Sequence, residues 1–453
     1  MLPPSLLLSI SRVNILLKRL LLGFLLALVL VPVIQARFHF FEEANLAGAF
    51  TVAPHPNLTW EGLRDNSYQP AFEQYLEDRI GFRPYLIRLR NQLSFSLFRV
   101  ARSSDIVVGE HDVLFQPGPI ESYLGHDLLA EDEVRFRVRR LRAVQRELGQ
   151  RGVQLLFVMA PSKARFQPED LPARWQVAPG TVTNYDLYLR ALQADTVTML
   201  NLVPLLAQWK KTAPYPLFAR AGTHWSGYGA ALAVDTLLRR LEQLGGVHFP
   251  TVRTLGKPLV VRTTDLLQGN DNDLAKPLNL LQAVENTPHA YPQLAFEAPQ
   301  PGQTRPSALF VSDSFIWGFT QFNSYIPSLF SDDTRIWYYG NNVYRPDKPF
   351  TPDGPQVRYL NYRQIIESRR FIVLMTTEHN LVKREFDFTD LVYRLYHPLT
   401  PADNTAIDEL AKRLAQQAIE RNADAAWEAQ AKDPNAYQAQ LREQAEVLYE
   451  NRL

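Results

Sequence analysis

The sequence predicts an α/β protein with a mostly parallel, doubly wound sheet, set behind an N-terminal apolar helix and followed by C-terminal helices. Three observations predict it. Val153 to Ala160 is a nearly continuous apolar run, the pattern of a strand covered on both faces. Strand-like and helix-like periodicities alternate beyond it, as they do when crossover helices join parallel strands. Leu20 to Ala36 carries no charge and meets the lower limit for crossing a bilayer, about 17 residues.

The elements follow in order. Arg12, Lys18 and Arg19 precede the apolar run and Arg37 follows it, a bias that favours a cytoplasmic N-terminus with the rest of the chain outside. We expect a retained anchor over a cleaved signal peptide, because no small-x-small site stands near Ile34 to Ala36. Residues 1–36 are read as cytoplasmic N-terminus and transmembrane anchor. Residues 37–100 are read as a juxtamembrane connector with amphipathic helices. Phe72, Leu76, Ile80, Leu86, Leu89, Leu93 and Leu97 recur there at helical spacing, and Gly81 and Pro84 break the stretch in two. Arg79, Arg83, Arg88 and Arg90 are expected on a solvated face, with a place near lipid headgroups as the alternative.

Residues 101–396 are read as the α/β domain. Asp105 to Gly109 and Val113 to Phe115 suggest a short hairpin. Glu133 to Leu148, Gly229 to Leu244 and Tyr362 to Ser368 have helical patterns. Thr196 to Leu200, Ala308 to Val311, Ile336 to Tyr339 and Phe371 to Met375 are the further strand candidates. Residues 284–306, rich in Pro, Gln and Ala, are expected to form a surface loop. Residues 397–453 are read as a helical tail that docks on the domain or on a partner: Ile407, Leu410, Leu414 and Ala418 mark one amphipathic helix, and Tyr437, Leu441, Ala445 and Leu448 another.

Composition narrows the function classes. The 453 residues are 46% hydrophobic and 21% charged, ordinary values for a chain with a core. With 48 basic and 47 acidic residues, nothing points to nucleic acid, which calls for a basic face. The absence of cysteine excludes disulfides, thiolate metal sites and a cysteine nucleophile. Asp271-Asn272-Asp273 lacks the Gly and Glu of a calcium loop, and no metal or cofactor is expected.

Two segments carry the candidate chemistry. In Ala308 to Phe315 an apolar strand runs into Ser312-Asp313-Ser314 and then into a helix-like stretch. A serine at such a turn stands at the C-terminal edge of the sheet, where N–H groups of the following turn can stabilise an oxyanion. The same pattern suits an ordinary helix cap. His224 lies in the turn-like segment Arg220 to Gly229 and could act as base to a serine. Trp225 and Trp317, with Tyr338 and Tyr339, are candidates for stacking on sugar rings, and Lys163 for binding a polyanion; aromatics of an α/β core and a lysine capping a strand end are the commoner readings of the same residues.

Taken together, these blocks resemble the alginate O-acetyltransferase AlgX and AlgJ group of the SGNH-hydrolase-like superfamily. Ser312-Asp313-Ser314-Phe315 resembles the GDSF block, and Thr223-His224-Trp225 resembles that group's upstream histidine block. Asp78 to Arg83, Val107-Val108-Gly109, Ala160 to Lys163, Asn270 to Leu274 and Thr377 to Leu381 are similar to further blocks. The resemblance implies a three-layer α/β/α fold with a mostly parallel sheet. It implies an acyl-serine at Ser314, with His224 as base and then acid, supported by Ser312 and Asp313. It also implies a membrane-bound O-acyltransferase as acetyl donor, a polysaccharide acceptor, and a place on the periplasmic side of a bacterial inner membrane.

Two positions depart from the family pattern. Ser312 stands where the family has Gly, and Gly222 stands where an acid is expected two residues before the histidine. An orienting carboxylate can be worth about four orders of magnitude in rate, and Asp313, Glu378 and Asp273 are the candidates to replace it. O-acetylation of an exported glycan is therefore the first functional expectation. A carbohydrate O-acetylesterase, or a scaffold subunit whose catalytic ability has decayed, is the alternative.

Overall fold

The apolar runs of the sequence become the strands of a six-stranded sheet: β1 (Gln154–Ala160), β2 (Met199–Asn201), β3 (Ala308–Ser312), β4 (Arg335–Tyr338), β5 (Asn342–Tyr344) and β6 (Phe371–Thr377). Their order is β5-β4-β3-β6-β1-β2. All neighbours are parallel except β5, which returns antiparallel along β4. The computed structural model describes residues 4–48, 51–263, 266–284 and 287–450. They divide into two compact units, Met1–Val108 with Asp273–Val284, and Gly109–Asn272 with Glu285–Leu453.

Strict alternation along β1, β3 and β6 sorts their side chains into two layers. Leu156, Val158, Phe310, Phe371, Val373 and Met375 face one core, closed by Ala230, Ala233, Val234, Leu237 and Leu241 of the helix α6 (Gly227–Gly245). Leu155, Phe157, Met159, Leu309, Val311, Ile372 and Leu374 face the other. That second core is closed by α4 (Glu131–Gln150), α5 (Asn184–Ala194) and α7 (Phe388–Tyr396). Each fully buried Leu, Ile or Phe contributes about 1.5–3 kcal/mol by leaving water. A three-layer α/β/α architecture follows, with the C-terminal strand ends gathered along one edge.

The tail docks on its own domain. It comprises α8 (Pro401–Arg421), α9 (Ala423–Lys432) and α10 (Pro434–Glu450). Arg140 of α4, 4% exposed, pairs with Asp390 of α7 and with Glu446 and Glu450 of α10, and its guanidinium lies over the rings of Phe136 and Tyr393. Tyr449 of α10 donates to Asp403 of α8 at 2.6 Å.

Two expectations are corrected here. Residues 284–306 are not a plain loop: His289–Tyr291 pairs with Leu259–Val261, and Leu294–Phe296 with Val252–Thr254. The second strand begins at Met199 rather than Thr196, because Thr196 turns into the left-handed region at φ 50° while Val197 N–H bonds back to Leu192.

The other unit holds α1 (Pro4–Phe38), α2 (Tyr68–Glu77) and α3 (Arg83–Phe98). Ile15–Phe38 is long and apolar enough to cross a membrane, and Lys18 and Arg19 lie within its first turns. The side chain of Arg12 lies outside the described residues. The break expected at Gly81 and Pro84 falls between α2 and α3. Arg79 and Arg90 are exposed as expected, and three of the four arginines also brace the connector. Arg79 donates to the Ala53 and Tyr75 carbonyls, Arg83 pairs with Asp78 at 3.0 Å, and Arg88 donates to Ala44 and Asn45.

Candidate active site

Ser314 follows directly on the buried strand β3 and the Asp313 turn. Asp313 is fully buried and its carboxylate is saturated. Oδ1 accepts from the Phe315 N–H at 3.1 Å, capping the short turn Ser314–Trp317. Oδ2 accepts from the Thr377 N–H (2.8 Å), the Thr377 hydroxyl (2.6 Å) and Asn380 Nδ2 (2.8 Å) at the end of β6. Asp313 thus ties the loop after β3 to the loop after β6 and leaves Ser314, half-exposed, at the edge of the sheet. Ser312 is buried within the strand, and its hydroxyl donates to the Asp313 carbonyl. Both residues support the turn.

His224 arrives from the opposite side on the segment leading into α6. Ser226 caps that helix, accepting from the Gly229 N–H, and its hydroxyl donates to the Pro216 carbonyl at 2.6 Å. The Ser226 N–H donates to the Leu217 carbonyl, and Phe218 bridges Trp225. The His224 ring packs on Phe315 with centroids 5.0 Å apart. Its Nε2 lies 2.8 Å from Ser314 Oγ, the distance of a hydrogen bond between a hydroxyl and a ring nitrogen. Two residues 90 positions apart in the sequence meet as a nucleophile and its base would.

The other expected site residues have different places. Lys163 is 2% exposed, and Nζ donates to the carbonyls of Ala219 (2.6 Å), Arg220 (2.9 Å) and Gly222 (2.7 Å). Its ammonium holds the turn before His224, so it is not available to a substrate anion. Trp225 is fully buried, stacked on Phe319 and edge-on to Phe315. Trp317, 3% exposed, packs among Tyr338, Tyr344 and Phe350. Both indoles are core walls of the site rather than exposed platforms for a sugar.

Two of the candidate replacements for the missing acid, Glu378 and Asp313, are engaged elsewhere. Glu378 accepts from the backbone N–H and the hydroxyl of Ser162 and lies 3.4 Å from Arg165. Asp313 is occupied as described. The structure also gives a reason for Gly222. A Cβ at that position would meet the Asn270 carbonyl oxygen at 2.6 Å and the Asp271 carbonyl at 3.1 Å. The Asn270–Asp271 loop fills the space a side chain at 222 needs. It is held there by Tyr291, whose hydroxyl donates to Asp271 Oδ2 at 2.7 Å and accepts from the Gln268 N–H.

Sequence reasoning missed the part played by Tyr339. It directly follows β4, the strand beside β3, with φ +49°, a conformation unusual for a non-glycine residue and common at functional turns. Its N–H donates to the Ser312 carbonyl. Burial, with the nearby Asp313 charge, pushes its hydroxyl up to about 12, while the Ser314 hydroxyl and the Ser314 N–H both act on it in the opposite sense. Tyr339 is therefore a neutral phenol at neutral pH, beside the Asp313 turn. The available signal was its register: Tyr338 pairs with Ser312, so the next residue stands beside the Asp313 turn.

With this geometry in hand, comparison with known proteins becomes informative. Residues 106–314 match the SGNH hydrolase-like domain of acetyltransferase AlgX. His224 and Ser314 both lie within the match, and the AlgX and AlgJ resemblance holds. A probable alginate O-acetylase AlgJ of Pseudomonas aeruginosa is 31% identical over 176 residues, 38% of this chain and 40% of the relative. The AlgJ of Azotobacter vinelandii is 25% identical over 175 residues, 39% of this chain and 43% of that one. The chain thus spans about two fifths of the length of the curated relatives it matches. The O-acetyltransferase domain of Pseudomonas putida AlgJ, a solved structure, is 18% identical, covering 65% of this chain and 99% of that one with a TM-score of 0.42.

Proposed function

We propose that this chain is an O-acetyltransferase acting on an exported polysaccharide from the outer face of a bacterial inner membrane, through an acyl-serine at Ser314. The observation that carries the proposal is the 2.8 Å contact between His224 Nε2 and Ser314 Oγ, formed within a stretch that matches an acetyltransferase family. The chemistry follows from the geometry. His224 Nε2 takes the Ser314 proton as Oγ attacks the acetyl carbonyl of the donor, and the charge developing on the carbonyl oxygen takes hydrogen bonds from the Ser314 N–H and the neutral Tyr339 hydroxyl. The imidazolium returns the proton to the departing donor group, leaving acetyl-Ser314. A sugar hydroxyl then gives its proton to His224 and attacks the acyl carbon, and Ser314 Oγ leaves with that proton.

In this proposal α1 holds the domain at the membrane, where a membrane-bound O-acyltransferase would supply the acetyl group. The sequential use of one serine splits a hard transfer into two easier steps. The test is turnover of a chromogenic acetyl ester by the purified protein, with and without an oligosaccharide acceptor. We expect acetylated oligosaccharide by mass spectrometry, lost in Ser314→Ala. Acetate release that is indifferent to acceptor would make the protein an esterase, and no turnover in folded protein would make it a binding subunit.

A further inference from the structure

The helix α3 is inverted for a water-soluble environment. Its inward face carries Asn91 and Ser94 beside Phe95, while Leu86, Leu89, Leu93 and Leu97 stand 45–66% exposed along one stripe at helical spacing. The rotation is fixed by polar contacts rather than by packing. Asn91 Nδ2 donates to the Leu278 carbonyl at 2.8 Å, and Arg102 Nε donates to Ser94 Oγ at 2.9 Å. Those bonds commit the leucines outward.

The start of α3 is fixed against the apolar helix α1. The Gly81 backbone lies so close that a Cβ there would meet the Pro32 carbonyl oxygen at 2.3 Å and the Ala36 nitrogen at 2.7 Å. The Phe82 N–H donates to Glu43 at 2.7 Å, and Glu43 also accepts from Gln35 of α1 at 3.0 Å. Gln35 closes the latch by exchanging hydrogen bonds with the Phe41 backbone. The contact residues 32–36 fall inside the apolar span Ile15–Phe38, within about 9 Å of its end at 1.5 Å per residue. The 24-residue span is about 36 Å long, more than the roughly 30 Å of bilayer hydrocarbon. Its last turns therefore reach the headgroup zone, and α3 begins at that depth.

We propose that α3 lies along the outer surface of the membrane, with Leu86, Leu89, Leu93 and Leu97 inserted at the boundary between headgroups and chains. The proposal rests on α1 crossing the membrane. Its occupant is lipid because the stripe starts where a lipid-facing helix surfaces. A helix rising away from that point would leave four leucines in water. The flanks suit the interface: Tyr85 and Phe98, both exposed, mark the two ends as interfacial aromatics do, and exposed Arg90 can extend its head to lipid phosphates over an apolar stem. The resulting device has two contacts with the bilayer, one crossing and one lying flat, and so fixes the orientation of this unit as a single helix cannot.

The chain contains no cysteine, so single labels are clean. Leu86→Cys, Leu93→Cys and Leu97→Cys in the full chain would each carry an NBD fluorophore, in nanodiscs of phosphatidylethanolamine and phosphatidylglycerol. Lipids bearing a nitroxide either near the headgroup or near the chain end would serve as quenchers. We expect emission blue-shifted from NBD–cysteine in buffer at all three positions, with similar quenching that is stronger for the headgroup-proximal nitroxide. Quenching at Leu86 that fades through Leu93 to none at Leu97 would overturn the proposal, because the helix then leaves the surface. Blue-shifted emission without lipid quenching would also overturn it, in favour of a protein surface over the stripe. Leu26→Cys in α1 separates the premise from the proposal: a label there that the chain-end nitroxide fails to quench means that α1 does not span.

Discussion

Replacing Gly222 by alanine adds one methyl group facing the Asn270–Asp271 backbone, and replacing it by aspartate installs the acid that the family pattern expects there. The added Cβ would stand 2.6 Å from the Asn270 oxygen. Reaching an ordinary contact of 3.4 Å requires the loop to retreat by roughly 0.8 Å, against its hydrogen bonds to Tyr291. Overpacking of this kind costs about 1–3 kcal/mol. At about 2–4 °C per kcal/mol for domains of 150–250 residues, Gly222→Ala should unfold about 2–12 °C lower. Gly222→Asp adds a carboxylate among carbonyl oxygens at a buried position, a penalty of several kcal/mol more, and should be the less stable of the two. Thermal unfolding of the detergent-purified chain, scanned at one rate for all variants, measures the first effect, and serine-directed labelling measures the second. The steric argument is refuted if Gly222→Asp unfolds with the wild type and labels faster. An aspartate at 222 would then be accommodated beside His224 as in the family pattern.

Three further outcomes follow from the same geometry. Lys163→Met removes three hydrogen bonds from an ammonium to the turn before His224. It should cost about 2–4 kcal/mol and slow labelling at Ser314 more than a distant variant of equal stability does. Tyr339→Phe should lower turnover by about 10²–10³ if the hydroxyl serves the oxyanion, with little change in Tm at neutral pH. Because burial raises the Tyr339 hydroxyl to about 12, the unfolded phenol ionises first and the wild type loses stability as pH rises from about 10 towards 12, so Tyr339→Phe should unfold less steeply with pH across that window. Arg140→Leu strips the cation from Asp390, Glu446 and Glu450 and should cost about 3–5 kcal/mol, with α10 becoming sensitive to limited proteolysis before the sheet does.

The fold was legible where side chains alone decide it. β1, β3 and β6 are covered on both faces, so their sequences are continuous apolar runs, and α4 and α6 show the helical period because one face of each meets the sheet. The ribbon strands near His289 and Leu294 were not legible, since their partners Val261 and Thr254 lie far away in the sequence and three-residue strands leave little pattern. In the site, Ser314 and His224 could be named from their turns and from family resemblance, but their meeting is a property of the sheet order. Lys163 and Trp225 each admitted a binding reading beside a structural one, because ammonium and indole groups serve both. Burial decided for the structural one, with three carbonyls around Lys163 and Phe315 and Phe319 around Trp225. Tyr339 was read in the sequence only as a stacking aromatic, because its closeness to Ser314 depends on β4 lying beside β3 and on a left-handed turn directly after it.

The most direct measurement is covalent labelling of the purified full chain with a fluorophosphonate, mapped by mass spectrometry beside Ser314→Ala and His224→Ala. If His224 activates Ser314, the adduct sits on Ser314, is absent in Ser314→Ala and is strongly reduced in His224→Ala, with all three proteins unfolding at similar temperatures. An adduct that persists in folded Ser314→Ala, or no adduct in folded wild-type protein, would contradict it.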